Sequence, residues 1–186
     1  MNHKKYNLIG IIGKKGSGKD TAANYIIQKN PTYLKYSFAD PLKKVCSILF
    51  NFTEDQLYGD KKEEIDKNWD ITPRKIMQYI GTDILRDNLK NIIPHYKGNI
   101  WITLFEKQLE KYNNLIVPDV RFNDEAYAIK KNGGILIKIE RDLIEDEHSS
   151  HISENTIFDE HIIDYTIVNN SSLVDLYDNL DLLFQE

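Results

Sequence analysis

An apolar run, Leu8-Ile9-Gly10-Ile11-Ile12, stops at Gly13-Lys14-Lys15-Gly16-Ser17-Gly18-Lys19-Asp20-Thr21, and Ala22-Ala23-Asn24-Tyr25-Ile26-Ile27 continues with helical character. A buried strand, a glycine-rich turn and a helix in direct succession leave few folds open. They are also the setting in which Gly13-x-x-x-x-Gly18-Lys19 acquires a physical meaning. Glycines let successive backbone N–H groups curl around phosphate oxygens, and the helix that follows adds the positive end of its dipole. Lys19 supplies a mobile point charge for the phosphates in transfer. The pattern departs from the generic loop at one position: Asp20 follows the lysine where a magnesium-holding Ser or Thr is usual, and Thr21 comes one residue later. The stretch implies a chain that binds a nucleoside triphosphate or a close analogue.

The rest of the chain alternates strands with helices. Tyr33–Phe38 reads as a second strand, Leu115–Val117 with Pro118 and Asp119 as a strand ending in an acid, Ile135–Glu140 as another and Asp164–Val168 as the last. Between them, Asp40-Pro41 suits the N-cap and first position of a helix, and Thr72-Pro73 opens another in the same way. The spacing Ile76, Met77, Ile80, Ile84, Leu85, Leu89 predicts one helix with Gly81 inside it, a position that suggests close approach by a ligand or another backbone. Ile100–Tyr112 and Asp124–Lys131 read as helices, and a final helix is capped by Ser171. The polar run Phe52–Asp70 reads as a solvated helix face, and Arg141–Glu160 as a long polar loop or lid. This order predicts an α/β fold: a parallel sheet of about five strands flanked by helices, in a single domain of 186 residues.

Composition excludes more than it identifies. With 24 Lys+Arg against 29 Asp+Glu, the chain is mildly acidic, so no nucleic-acid partner is expected. One cysteine, Cys46, precludes an internal disulfide and suits a reducing compartment, where it reads as an inert core thiol. No stretch is long and apolar enough to span a membrane, the apolar run near the N-terminus is too short for a signal peptide, and a cytoplasmic location is expected. His148, His151 and His161 match no zinc spacing and read as solvated loop residues. The basic residues Lys19, Lys61, Lys62, Arg74, Arg121 and Arg141 carry more weight. Phosphoryl transfer between two phosphorylated molecules must gather two strongly charged anions, and arginine bonds phosphate bidentately.

Read together, Gly16-Ser17-Gly18-Lys19-Asp20-Thr21, Tyr36-Ser37-Phe38-Ala39-Asp40-Pro41-Leu42-Lys43, Thr72-Pro73-Arg74-Lys75-Ile76-Met77-Gln78 with Gly81-Thr82-Asp83, Trp101, Val117-Pro118-Asp119-Val120-Arg121 with Glu125, and His151-Ile152-Ser153-Glu154 run the length of the chain. In that order they resemble the deoxynucleoside monophosphate kinases of bacteriophages and related viruses, a branch of the P-loop nucleotide kinases. The Lys-Asp-Thr ending is typical of that family; Gly16 stands where relatives often carry a basic residue, and the segment around Lys61 and Lys62 varies among them. The resemblance implies transfer of the ATP γ-phosphate to a deoxynucleoside monophosphate, with Mg²⁺. It implies ATP binding by Gly13, Lys15, Gly16, Ser17, Gly18, Lys19, Asp20, Thr21, Arg141 and Asn170, with the loop Asn169-Asn170-Ser171 against the adenine. The acceptor nucleotide would meet Phe38, Asp40, Lys43, Lys62, Arg74, Gln78, Gly81, Thr82, Trp101, Asp119, Arg121 and Glu125. Lys19, Arg74 and Arg121 would be the catalytic cations, Asp20, Thr21 and Asp119 would organise Mg²⁺ directly or through water, and His151 and Glu154 would belong to the lid at 141–155. Residues 41–112 would form a helical substrate-binding region, and a homodimer stays open. The other readings are a kinase of a different phosphorylated metabolite, such as phosphomevalonate, and a nucleotide-binding switch that transfers nothing to a small molecule.

Overall fold

The structure is a computed structural model that describes residues 6–142 and 157–185. It divides into two units: Met1–Ser37 with Glu106–Glu186, and Phe38–Phe105. His148, His151, Glu154 and the expected lid beyond Asp142 lie outside the described residues.

The first unit is built on a five-stranded sheet in the order β2-β3-β1-β4-β5. The strands are β1 (Leu8–Ile12), β2 (Leu34–Lys35), β3 (Leu115–Val117), β4 (Ile135–Glu140) and β5 (Tyr165–Val168). Every pairing is parallel: Gly10 lies opposite Val117 on one side of β1 and opposite Leu136 on the other. β1 is therefore central and wholly buried, which is why it is apolar at every position rather than alternating. Alternate residues of a strand point to opposite faces. Ile9 and Ile11 join a core with Ala22, Ala23 and Ile26 of helix α1 (Lys19–Lys29) and Leu176 and Leu180 of the last helix, α7 (Leu173–Leu183). Tyr25 and Tyr177 stack across those two helices with centroids 3.9 Å apart. Gly10 faces the other way, toward Ile129 of the helix Asn123–Lys131.

The second unit is helical. It comprises α2 (Asp40–Phe50), α3 (Glu54–Leu57), a 3₁₀ turn (Asp60–Glu63), α4 (Pro73–Gln78), a π-helix (Tyr79–Asp87) and α5 (Ile100–Leu109); the Asn123–Lys131 helix of the first unit is thus α6. Cys46, Phe52, Leu57, Ile76 and Met77 form its apolar cluster. Burial pushes the Cys46 thiol up to about 11, so it is an inert core group, as its apolar surroundings suggest.

Five expectations shift. The second strand is Leu34–Lys35 alone, because β2 is an edge strand whose backbone pairs only with β3 before the chain turns away. Phe52–Asp70 is a short helix and a 3₁₀ turn followed by a bridge between Asp66 and Ile71, not one helical face. The helix opened by Thr72-Pro73 changes to π geometry at Tyr79. Two caps also move by one residue. Ala39 stands at the start of α2, with Asp40 already helical, and Ser172 rather than Ser171 caps α7 by accepting from the Asp175 N–H.

Candidate active site

The glycine loop leaves β1 at its C-terminal end, where a parallel sheet reverses strand order and ligands collect. Its turn requires left-handed backbone: Gly16 has φ 77° and Gly18 φ 103°. Gly18 is also the N-cap of α1 and brings no side chain to satisfy the first turn. Among the described residues the Gly18 N–H donates to nothing, and the Ser17 hydroxyl, fully buried, has no hydrogen-bond partner. Lys19 Nζ folds back and donates to the Gly13 and Lys14 carbonyl oxygens, each at 2.7 Å. A cation held against loop carbonyls beside an open backbone donor is a cradle for phosphate oxygens.

The ends of the neighbouring strands surround this loop. Beyond β4, the Arg141 guanidinium donates to the Gly16 carbonyl oxygen at 3.4 Å. Beyond β5, the Asn169 amide Nδ2 donates to the Ser17 carbonyl oxygen at 2.8 Å. Asn170, expected at the nucleotide, is engaged with Asp142: its Oδ1 accepts from the Asp142 N–H at 2.8 Å and its Nδ2 donates to Asp142 Oδ2 at 2.6 Å. After β2 and β3, the Ser37 hydroxyl donates to the Asp119 carboxylate. Asp20 is turned outward, with Lys35 Nζ 2.6 Å from its Oδ1. Glu125 is 2% exposed and accepts from the backbone N–H groups of Arg121 (2.8 Å) and Phe122 (3.2 Å). That buried carboxylate fixes the start of α6 and leaves the Arg121 side chain exposed.

In the helical unit, Arg74 is half-buried and donates through Nε to both oxygens of Glu63, at 2.7 and 2.8 Å, while its Nη2 lies 2.7 Å from Glu63 Oε1. Lys61 pairs with Asp55 at 3.1 Å, whereas Lys62 makes no ion pair among the described residues. Asp40 accepts from the Tyr58 hydroxyl at 3.2 Å, and Lys43 Nζ sits 3.8 Å from the centre of the same ring. Burial and the Asp40 charge push the Tyr58 phenol up to about 12, so it stays the donor. Trp101 is buried and its indole N–H donates to the Gly81 carbonyl oxygen at 3.1 Å. Phe38 packs on Phe105 with centroids 5.2 Å apart. Both aromatic candidates for the acceptor are thus core residues of this unit, while Gln78 and Thr82 remain half-buried on α4 and the π-helix. The close approach anticipated at Gly81 is made by a side chain: a Cβ there would lie 2.6 Å from Leu42 Cδ2.

Sequence reasoning passed over Ser37 and Glu63, and expected Asn169 at the adenine rather than on the Ser17 carbonyl. Ser37 lay inside the quoted Tyr36–Lys43 segment; Glu63 carried no spacing signal, since it meets Arg74 across a distance in sequence that only folding closes.

A strand, glycine loop and helix at the centre of a five-stranded parallel sheet, covered on both faces, define the P-loop nucleotide kinase fold. The crystal structure of TT1252 from Thermus thermophilus superposes with a TM-score of 0.51 over 98% of both chains at 16% identity, a likeness of fold. The family model for deoxynucleotide monophosphate kinase matches residues 7–67 and 50–180, and the chain belongs to that family. It is 42% identical over 184 residues, 93% of either chain, to an Acanthamoeba polyphaga mimivirus protein provisionally named deoxynucleotide monophosphate kinase. It is 28% identical to the deoxynucleotide monophosphate kinase of Enterobacteria phage T4 over 97% of this chain and 68% of the phage protein. A dephospho-CoA kinase of Fusobacterium nucleatum is 27% identical over 186 residues. The chain is accordingly a kinase, a phosphotransferase that uses ATP and acts on deoxynucleoside monophosphates. The reading as a switch without small-molecule transfer falls away.

Proposed function

We propose that the glycine loop from Gly13 to Thr21 holds the phosphates of ATP, and that the diphosphates formed serve as DNA precursors. The observation that carries the loop assignment is the unsatisfied Gly18 N–H beside a folded-back Lys19. An acceptor phosphate oxygen attacks the γ-phosphorus in line; the new O–P bond forms as the bond from that phosphorus to the bridging oxygen breaks, and ADP leaves with the electron pair. No side-chain nucleophile is required, so the protein's task is to position the groups and neutralise charge. Lys19, swinging from the loop carbonyls to the phosphates, supplies the donor-side cation. Arg74 and Arg121 are proposed, each on its own, to bind the acceptor phosphate.

Among the described residues no cluster of three or more His, Cys, Asp or Glu could cage a metal ion. Mg²⁺ needs no such cage in kinases, where one or two protein oxygens, waters and substrate phosphates complete the octahedron. Thr21, Asp119 and Asp20 offer the hard oxygen donors that suit it, and the exposed pair of Asp20 with Lys35 costs little to give up. Bound there, Mg²⁺ would offset the charge developing on the β- and γ-phosphate oxygens. Ser37 holds the Asp119 carboxylate in place.

The decisive experiment is ADP release measured with a panel of deoxynucleoside and nucleoside monophosphates. Acceleration by at least one deoxynucleotide above the basal ATPase rate is expected and would also identify the preferred base. A panel without effect overturns the reading.

A further inference from the structure

We propose that Asn169 is a positioning residue for the phosphate loop, setting the direction of the Ser17–Gly18 peptide from the end of β5. The inference rests on the loop being the ATP-phosphate site. The Asn169 backbone N–H donates to the Glu140 carbonyl oxygen at 2.7 Å, which fixes the residue where β5 ends beside β4. From that anchor the side-chain amide reaches the Ser17 carbonyl oxygen at 2.8 Å. A peptide unit is planar and trans, so its C=O and N–H point in opposite directions. Holding the Ser17 oxygen on the β5 side therefore turns the Gly18 N–H away from β5, and that N–H is a loop donor with no acceptor among the described residues.

The fit leaves little latitude. A Cβ at Gly18 would stand 2.6 Å from Asn169 Nδ2, so the amide occupies the space a side chain would need, and φ 103° at Gly18 is backbone that glycine adopts without strain. Next to Asn169, the two-bond ring between Asn170 and Asp142 ties the same turn to the segment leaving β4. The turn after β5 thus braces the loop from outside. It acts on phosphate binding through the backbone, without touching the phosphates or the base.

Inorganic tripolyphosphate separates this role from recognition of the adenine, because it carries the phosphates alone. Its affinity, with that of ATP, should be measured by calorimetry in magnesium buffer for the intact chain, Asn169→Ala and Asn169→Asp. Asn169→Ala deletes one hydrogen bond and should weaken both ligands about 5- to 10-fold. Asn169→Asp faces the Ser17 oxygen with a carboxylate and should weaken both further. In kinetics the loss should fall on ATP, with the monophosphate KM unchanged. If ATP weakens but tripolyphosphate does not, Asn169 contacts the base and the proposal is wrong. It is equally wrong if neither ligand weakens, if the parent chain fails to bind tripolyphosphate, or if both substrates lose affinity in step with a lowered melting temperature. A parent chain that binds tripolyphosphate but phosphorylates no monophosphate overturns the acceptor reading and leaves this one standing.

Discussion

Lys19 Nζ donates to two loop carbonyl oxygens, at 2.7 Å each. If Lys19 meets the ATP phosphates as proposed, those bonds would be exchanged for phosphate oxygens on binding, so much of its contribution to ground-state affinity would be offset by what it gives up. Its advantage over solvent is realised as charge builds on the transferring group. Lys19→Ala is therefore expected to lower kcat about 100-fold or more, the scale of losing one preorganised transition-state donor, with a smaller change in the KM for ATP. Equal loss in kcat and in ATP affinity would show uniform binding instead. Arg74 poses the opposite question, because its fork already holds Glu63. Glu63 is about half exposed, so water screens part of that pair, and a dianionic phosphate, carrying more charge than one carboxylate, competes for the Arg74 fork. Charge-assisted bonds to that phosphate are worth about 1.5–3 kcal/mol, so Arg74→Ala should cost at least about 10-fold in kcat/KM for the monophosphate and leave the ATP terms unchanged. Varying the two substrates separately decides it; unchanged monophosphate parameters would leave Arg74 a structural partner of Glu63.

At the scale of elements, β1 and α6 meet at a position with no room. A Cβ on Gly10 would lie 2.6 Å from Ile129 Cδ1, 2.7 Å from Leu136 Cδ2 and 3.3 Å from Val120 Cγ2. Three apolar ends around one point cannot all retreat in a close-packed core, so Gly10→Ala should destabilise by about 1–3 kcal/mol. For a chain of this length that is about 2–4 °C per kcal/mol in the melting temperature. A melt unchanged within error would mean that the helix shifts freely over the sheet. The same contacts explain what the sequence could and could not reveal. β1, β3 and β4 are legible because burial on both faces writes itself as uninterrupted Ile, Leu and Val, and the loop is legible because its glycines are required by its backbone. β2 is not, since an edge strand of two residues leaves no pattern. The π-helix is not, because apolar spacing between Ile76 and Leu89 is compatible with an α-helix, and the change of register lies in the backbone. Glu63 meets Arg74 and the Asn169 amide meets Ser17 across the fold, contacts that periodicity does not encode.

For the molecule as a whole, the chain leaves the sheet after β2, builds the unit Phe38–Phe105 and returns before β3, the strand that pairs with β2. The two ends of that insert meet, Phe38 against Phe105. Its own buried cluster of Cys46, Phe52, Leu57, Ile76 and Met77 is small, and a segment of this size excised from its parent would be marginal, because small chains bury too little surface to offset their conformational entropy. The sheet holds both ends of the insert together, and that closure is lost when the sheet unfolds. The two units should therefore melt in one transition. The chain carries its own probe for this: both tryptophans, Trp69 and Trp101, lie in the insert, while the phosphate loop lies in the other unit. ATP at 100 times its Kd stabilises the state that binds it by about 2.7 kcal/mol. At about 2–4 °C per kcal/mol, the midpoint followed by far-ultraviolet circular dichroism should rise by about 5–10 °C. Tryptophan fluorescence should report the same midpoint and the same rise. A fluorescence midpoint that stays put while the dichroism midpoint climbs would show that the insert unfolds by itself, and that occupancy of the phosphate loop is not felt in the unit that carries Arg74.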